Sequence, residues 1–234
     1  SWGFDHNRNT PPEVGDCPNP GTLDARYGAT ALALLPYLGA GQTHKDGSYK
    51  GRVYAGLAYL VKNLRIDARE KVAFLQDKAG PLSHAWATMA MCEAYAMTHD
   101  KDLLAPAQLS VNYLLQQQDE DTGGWNSSRN HQDLLLSAWC VRALRAGHLG
   151  YLIVPKKNII RAKEFTASRT HDGTSYRRYE ESDPDELSSA AALLSQMQFG
   201  WKRDHLPLVK GIENIARIGP AKNDVRWNFF ASNA

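Results

Sequence analysis

Two kinds of helical segment alternate along the chain. Residues 27–35 (YGATALALL) represent the first kind, which is rich in alanine and apolar on every side. Residues 49–64 represent the second kind, which has one apolar stripe at helical spacing: Val53, Leu57, Leu60, Val61 and Leu64. A helix that is apolar all round must be covered on all sides, whereas a striped helix needs cover on one side only. The alternation therefore predicts inner and outer helices joined as antiparallel hairpins.

This pattern repeats along the whole sequence. The predicted hairpins cover residues 27–64, 83–118, 133–168 and 184–217, and a fifth inner helix is expected from residue 224. No segment shows a useful length of the period-2 alternation that indicates a strand. The sequence therefore predicts an all-α fold in which residues 1–234 form a single repeat domain.

Capping residues mark the predicted helix starts. Ser83, Asp102 and Asp133 are good N-caps for the segments that follow them. Residues 183–186 (DPDE) offer an N-cap at Asp183, a proline at N1 and an acid at N3. Asp224 is expected to begin the fifth inner helix.

Composition and charge narrow the classes of function. The formal net charge is +2, without a Lys/Arg cluster, which argues against nucleic acid or an anionic membrane as a partner. No apolar run approaches the roughly 18 residues of a membrane-spanning helix. Three widely spaced cysteines indicate no disulfide framework, and Cys92 and Cys140 are expected to be buried thiols. The sequence is consistent with both the cytoplasm and export after removal of a leader.

The turn after the second hairpin carries a recognisable motif. It contains Tyr113-Leu114-Leu115, Gln118 and Gly123-Gly124-Trp125. This arrangement resembles the Gln–Trp repeat of the terpenoid cyclase and protein prenyltransferase superfamily. Residues 172–176 (DGTSY) resemble a degenerate copy, and residues 1–4 (SWGF) resemble the end of an earlier one.

The inner segments resemble the same superfamily. Residues 29–41 and 133–144 are closest to bacterial proteins with squalene cyclase/prenyltransferase-type repeats of unassigned function. The resemblance implies an α/α toroid, and it implies structural roles for the turn residues Gln118, Gly123, Gly124 and Trp125. A glutamine amide can bond orphan groups at helix ends, and a tryptophan can pack between hairpins.

The two ends of the chain resemble incomplete repeats. Four hairpins are fewer than a closed toroid of this superfamily contains, so the chain is expected to be an open arc or a piece of a longer protein. Such an array would expose apolar residues at its ends: Trp2, Phe4, Trp227, Phe229 and Phe230. Exposed apolar patches rarely stay bare, so self-association or a flanking segment is expected to cover them.

The catalytic motifs of the superfamily are not recognisable here. The cyclases use an Asp-rich acid motif, but the comparable run at residues 119–122 (DEDT) lies in a turn and is expected to be solvated. The prenyltransferases bind zinc through Asp, Cys and His. Here Asp16-Cys17 has the wrong spacing, Leu136 stands where the histidine belongs, and His131 is out of register. No metal or other cofactor is predicted.

A ligand site remains possible at the starts of the inner helices, which face one mouth of a toroid. The candidates are His84, Trp86, Asp133, Trp139, Glu186, Asp224 and Trp227. They could line a pocket for an apolar or sugar-like ligand. The simpler interpretation is that the tryptophans fill the core and the acids cap helices. The sequence thus favours a non-catalytic binding or scaffold domain with an unknown ligand or protein partner. The alternative is a divergent enzyme acting on isoprenoid or carbohydrate substrates in the toroid lumen.

Overall fold

A computed structural model describes residues 1–5, 21–128 and 131–234. Nine α-helices lie in these ranges: α1 (Arg26–Gly39), α2 (Lys50–Lys62), α3 (Pro81–Thr98), α4 (Lys101–Gln116), α5 (Leu134–Leu149), α6 (Lys156–Ser168), α7 (Glu186–Gln198), α8 (Leu206–Ile218) and α9 (Val225–Asn233). The predicted all-α fold is confirmed, with helices paired along the chain as hairpins. None of the helices in the described ranges is long and apolar enough to cross a membrane.

Three small antiparallel strand pairs precede inner helices. β1 (Arg65–Asp67) pairs with β2 (Val72–Phe74) before α3, β3 (Asn126–Ser128) with β4 (His131–Gln132) before α5, and β5 (Tyr176–Arg177) with β6 (Pro184–Asp185) before α7. Sequence analysis did not predict these pairs, because strands of two or three residues are too short to show alternation.

Two helix starts in the first half of the chain differ from the prediction. Helix α3 begins at Pro81, and Ser83 lies inside it, where its hydroxyl donates to Asp77 Oδ1 at 2.6 Å. Proline suits the first helical position because its fixed φ is already helical and no N–H partner is needed there. Helix α4 begins at Lys101, and the N–H of Asp102 donates to Asp100 Oδ1 at 3.2 Å. Ser83 and Asp102 are therefore not the caps.

The later inner helices begin close to the predicted positions. Asp133 caps α5 and Asp224 caps α9, each by accepting backbone N–H groups. At α7 the cap is Asp185 rather than Asp183, and its carboxylate accepts from Ser188 N at 2.7 Å. The start is displaced because residues 184–185 are extended and pair with β5, so the helix cannot begin before residue 186.

The described residues group into two compact units. Unit 1 comprises Ser1–Gln116 and Ala146–Ile153, and unit 2 comprises Gln117–Arg145 and Val154–Ala234. In unit 1, α1 packs on α3, and α3 packs on α4. Asp77 joins the hairpins of unit 1, because its carboxylate accepts the N–H groups of Tyr27 (3.0 Å) and Gly28 (3.4 Å) in the first turn of α1.

Unit 2 has a core formed by Leu134, Phe165, Tyr176, Ala192, Leu193 and Leu208. Helix α8 approaches α7 closely at Gly211, where an added Cβ would lie 2.5 Å from Leu193 Cδ1. A larger residue at position 211 would push the two helices apart. Glycine at this crossing therefore sets the separation of α7 and α8.

The C-terminal aromatic residues are covered within unit 2, contrary to the expectation from sequence. Trp227 and Phe230 are 4% and 1% exposed. The indole N–H of Trp227 donates to Gly219 O at 2.9 Å, and the Phe230 ring centroid lies 5.2 Å from that of Trp139. The expectation of exposed ends is wrong at both residues, because α9 packs against α7 and this contact covers them. Trp2, Phe4 and Phe229 are partly buried.

Candidate functional site

The repeat turn of unit 2 is anchored by a buried glutamine. The Gln118 amide donates to Gly123 O (2.8 Å) and to Asn158 O (3.0 Å), and Asn158 Nδ2 donates back to Gln118 Oε1 (2.8 Å). Gly123 has φ +81°, and a Cβ there would overlap Arg161 O. The amide therefore joins the turn to the start of α6, and only glycine fits at position 123.

A chain of hydrogen bonds links this turn to α5. The N–H of Trp125, which is 2% exposed, donates to Ser137 Oγ at 3.0 Å. Ser137 Oγ donates in turn to Asp133 O at 2.9 Å. Gly124 lies against the Phe165 ring, where a side chain would collide. These contacts place the turn residues in packing and hydrogen bonding within unit 2.

The degenerate copy makes the same chain of hydrogen bonds at α7. Tyr176 N donates to Ser189 Oγ at 2.9 Å, and Ser189 Oγ donates to Asp185 O at 2.7 Å. Sequence analysis missed both serines. The signal that would have found them is an aspartate followed four residues later by a serine, which occurs at the start of α5 and again at the start of α7.

Asp133 is an enclosed side chain at the start of α5. Its side chain is 2% exposed and caps α5, with Leu135 N 2.8 Å from Oδ1. Arg178 holds the carboxylate through Nη2 (2.7 Å to Oδ2) and Nε, and Tyr179 donates its hydroxyl at 3.4 Å. The hydrogen bond to Asp133 raises the pKa of Arg178. Sequence analysis did not identify Arg178 as a partner, because 45 residues separate the pair.

His84 lies in the interior of unit 1. It is 1% exposed, and its Nδ1 accepts the N–H of Leu75 at 3.3 Å. Its Nε2 lies 3.1 Å from Ser110 O, so the neutral tautomer with the proton on Nε2 satisfies both contacts. Burial lowers the pKa of His84 to about 4, partly opposed by the bond to Ser110. The histidine is thus a neutral interior group of unit 1.

The two repeated tryptophans pack against neighbouring helices. Trp86 lies beside Gly28 of α1, with ring atoms 3.1 Å from the position of an added Cβ. Trp139 is 8% exposed and stacks on Phe229 of α9, with ring centroids 4.8 Å apart. The guanidinium of Arg142 lies 5.0 Å from the Phe229 centroid. The structure therefore gives both tryptophans packing partners in their own units.

Glu186 and Trp227 are brought together in a cleft of unit 2. The cleft has a volume of about 330 Å³. Its walls come from β6 (Pro184 and Asp185), α7, α8, Trp227 of α9 and the turn at residues 174–175. Its apolar side is formed by Leu193, Ile215, Ile218 and Trp227, and its polar side includes Glu186, Asn214 and Arg217. His84, Trp86, Asp133 and Trp139 do not line this cleft.

Helical spacing explains why these residues share the cleft. On α7 the lining residues Glu186, Ser189 and Leu193 lie three and four residues apart, and on α8 Gly211, Asn214 and Ile218 do the same. Each set occupies one face of its helix. The close crossing at Gly211 brings the two faces together at the cleft floor. Sequence analysis missed Asn214 and Arg217, because α8 showed only one apolar stripe.

Metal-binding residues do not cluster in the part of the chain that the structure describes. No group of three or more His, Cys, Asp or Glu side chains in that part could hold a metal ion. Asp16 and Cys17 lie outside the described residues, and the absence of zinc stays a prediction. Cys92 and Cys140 are buried, and burial raises the pKa of both thiols.

Neither the models of known protein families nor the curated proteins match this chain. The resemblance to the terpenoid cyclase and prenyltransferase superfamily stays a hypothesis, which depends on the repeat turn and the inner segments.

Proposed function

We propose that this chain is a non-catalytic binding domain that holds a small ligand in the cleft between α7, α8 and α9. The observation that carries the proposal is the cleft itself, where an apolar floor meets a rim with two carboxylates, an amide and a guanidinium. Ligand pockets combine apolar walls with a few polar groups in this way, and their volumes run from roughly 300 to 1,000 Å³. At about 330 Å³ this cleft suits a small ligand.

The acids of the cleft favour binding over catalysis. Asp185 accepts hydrogen bonds from Ser188 N and Ser188 Oγ, both at 2.7 Å, so its carboxylate is engaged in capping α7. Glu186 is exposed in the first turn of α7. General acid catalysis needs a carboxyl group whose pKa is raised by burial or by a neighbouring anion. Asp185 and Glu186 are both exposed, so neither carboxyl group has the burial that this role requires.

The proposal also covers the ligand classes, which follow from the lining of the cleft, and the scaffold, which follows from the resemblance of the repeat turn. The apolar floor suits an isoprenoid-like or other apolar group, and the rim suits hydroxyl, amine or carboxylate groups. An α/α toroid would be the scaffold that presents the cleft. The polar turn at Gln118 supports this only through its likeness to the superfamily repeat.

Amide chemical shifts of the ¹⁵N-labelled protein test the proposal. L-leucine, cellobiose and geraniol are added separately up to millimolar concentration. We expect at least one of them to shift the amides of Ser189, Asn214 and Ile215 saturably. Asn214→Trp should abolish the shift by filling the cleft. The matched control is Glu213→Trp on the same helix but outside the cleft lining, and it should bind normally. Cleft amides that none of the three compounds moves would contradict the proposal.

A further inference from the structure

Internal hydrogen bonds already use the hydroxyl groups that line the cleft. Thr174 Oγ1 and Ser175 Oγ both donate to Asp172 Oδ1 at 2.9 Å, and Ser189 Oγ donates to Asp185 O at 2.7 Å. All three hydroxyl donors of the lining are therefore committed to the fold. Asp185 accepts two hydrogen bonds from Ser188, so the polar side chains of the lining without an internal hydrogen bond are Glu186, Asn214 and Arg217.

Three charged side chains line the cleft: the carboxylates of Asp185 and Glu186 and the guanidinium of Arg217. Asp185 is engaged in capping α7, because it accepts the N–H and the hydroxyl of Ser188, both at 2.7 Å. Within the described residues, neither Glu186 nor Arg217 forms an ion pair with the other or with a third residue. Each is stabilised where it stands, because Glu186 lies in the first turn of α7 and Arg217 in the last turn of α8. Both charges therefore remain available at the mouth of the cleft.

A ligand that enters this cleft must compensate the charges of Glu186 and Arg217 as it removes water from them. A neutral molecule compensates neither charge, and a simple anion or cation compensates one and approaches the other unfavourably. A guanidinium binds a carboxylate through two parallel hydrogen bonds, and a carboxylate binds an ammonium group. The floor of Leu193, Ile215 and Ile218 suits an apolar side chain.

We infer that the ligand of this cleft is a small zwitterion with an apolar side chain, as found in free amino acids and short peptides. Arg217 binds its carboxylate, Glu186 binds its ammonium group, and the apolar floor holds the side chain. The inference depends on the proposed binding function and adds to it the chemical class of the ligand. Charge recognition at the rim sets the specificity, while the floor adds affinity.

Titration calorimetry with leucine and its blocked derivatives tests the inference. N-acetyl-L-leucine lacks the ammonium group, and L-leucinamide lacks the carboxylate. We expect each derivative to bind at least about tenfold more weakly than L-leucine, which is about 1.4 kcal/mol. Leucyl-leucine is titrated in the same series and separates a peptide ligand from a free amino acid.

Charge-neutral variants assign each contact. Glu186→Gln should weaken L-leucine about tenfold and leave N-acetyl-L-leucine unchanged, because that derivative has no ammonium group. Arg217→Gln should do the same for L-leucine and leave L-leucinamide unchanged. The matched controls are Glu213→Gln and Arg203→Gln, which lie outside the cleft lining and should bind like the unaltered protein.

The outcomes separate the two proposals. Blocked derivatives that bind as tightly as leucine would overturn the zwitterion inference. The inference would also be wrong if cellobiose or geraniol shifted the cleft amides and leucine did not, while the binding function would stand. If none of the compounds shifted those amides, the binding function itself would fail.

Discussion

Helices α5 and α7 of unit 2 begin with the same hydrogen-bonded scaffold. In each, a buried aromatic residue after the turn donates its N–H to a serine, and the serine donates to the carbonyl of the capping aspartate. The chain joins Trp125, Ser137 and Asp133 at α5, and Tyr176, Ser189 and Asp185 at α7. The same hydrogen-bond geometry thus occurs at two helix starts whose preceding turns differ in sequence.

The two helix starts differ in the surroundings of the capping aspartate. At α5, Arg178 closes over the carboxylate of Asp133, which is 2% exposed. At α7, Asp185 is exposed, and the next residue, Glu186, lies at the cleft. The start of α5 holds Asp133 in an ion pair with Arg178, whereas the start of α7 leaves the carboxylate of Glu186 exposed at the cleft. The comparison shows that two helix starts with the same backbone hydrogen bonds can hold the capping aspartate in different surroundings.

The largest expected effect follows from removing the buried aromatic residue of the α5 scaffold. Trp125→Ala should lower the free energy of unfolding by about 3–5 kcal/mol, as large aromatic deletions in a core do. Urea unfolding followed by far-UV circular dichroism measures the loss. Tyr54→Ala, at a residue that is 62% exposed, is the control and should stay within about 0.5 kcal/mol of the unaltered protein. An unchanged midpoint for Trp125→Ala would mean that the turn does not support the fold.

A smaller effect should separate the two aspartates. Asp133→Ala removes a cap and leaves Arg178 without its partner, so we expect a loss of about 3 kcal/mol. Asp185→Ala removes only an exposed cap and should lose about 1 kcal/mol. Adding Arg178→Ala to Asp133→Ala should recover part of the larger loss, because the arginine is no longer left unpaired. Equal losses for the two aspartates would contradict the difference between the scaffolds.

Local patterns were enough to predict the helical hairpins. Apolar periodicity is a property of neighbouring residues, so the helices of all four pairs could be located within a few residues. Helix starts were less predictable. The hydroxyl of Ser83 and the N–H of Asp102, at the two residues expected to be caps, donate instead to Asp77 and Asp100. These bonds depend on how the chain turns before each helix, which apolar periodicity does not indicate.

The candidate site was predictable only in part. Glu186 and Trp227 were among the predicted ligand residues and line the cleft, whereas Asn214 and Arg217 lie on the polar side of a striped helix, which the pattern assigns to solvent. Their place at the cleft depends on how closely α8 crosses α7. That distance depends on Gly211, a residue whose packing role no periodicity indicates.

The start of α3 in unit 1 contains a third kind of polar group, because His84 is buried there and stays neutral. The pKa of His84 is lowered to about 4, so the unfolded chain, whose histidine has a pKa near 6.5, binds more protons between these two values. The stability that depends on neutral His84 is therefore present above about pH 6.5 and is lost as the pH falls toward 4, by about 2 kcal/mol between pH 7 and pH 5. Urea unfolding at the two pH values measures the difference. His84→Asn should reduce it by about that amount, because asparagine can accept the N–H of Leu75 without taking up a proton. His205→Asn, at an exposed residue, should leave the difference in place. A pH dependence that survives His84→Asn would show that other groups produce it, and that the buried histidine carries no charge penalty.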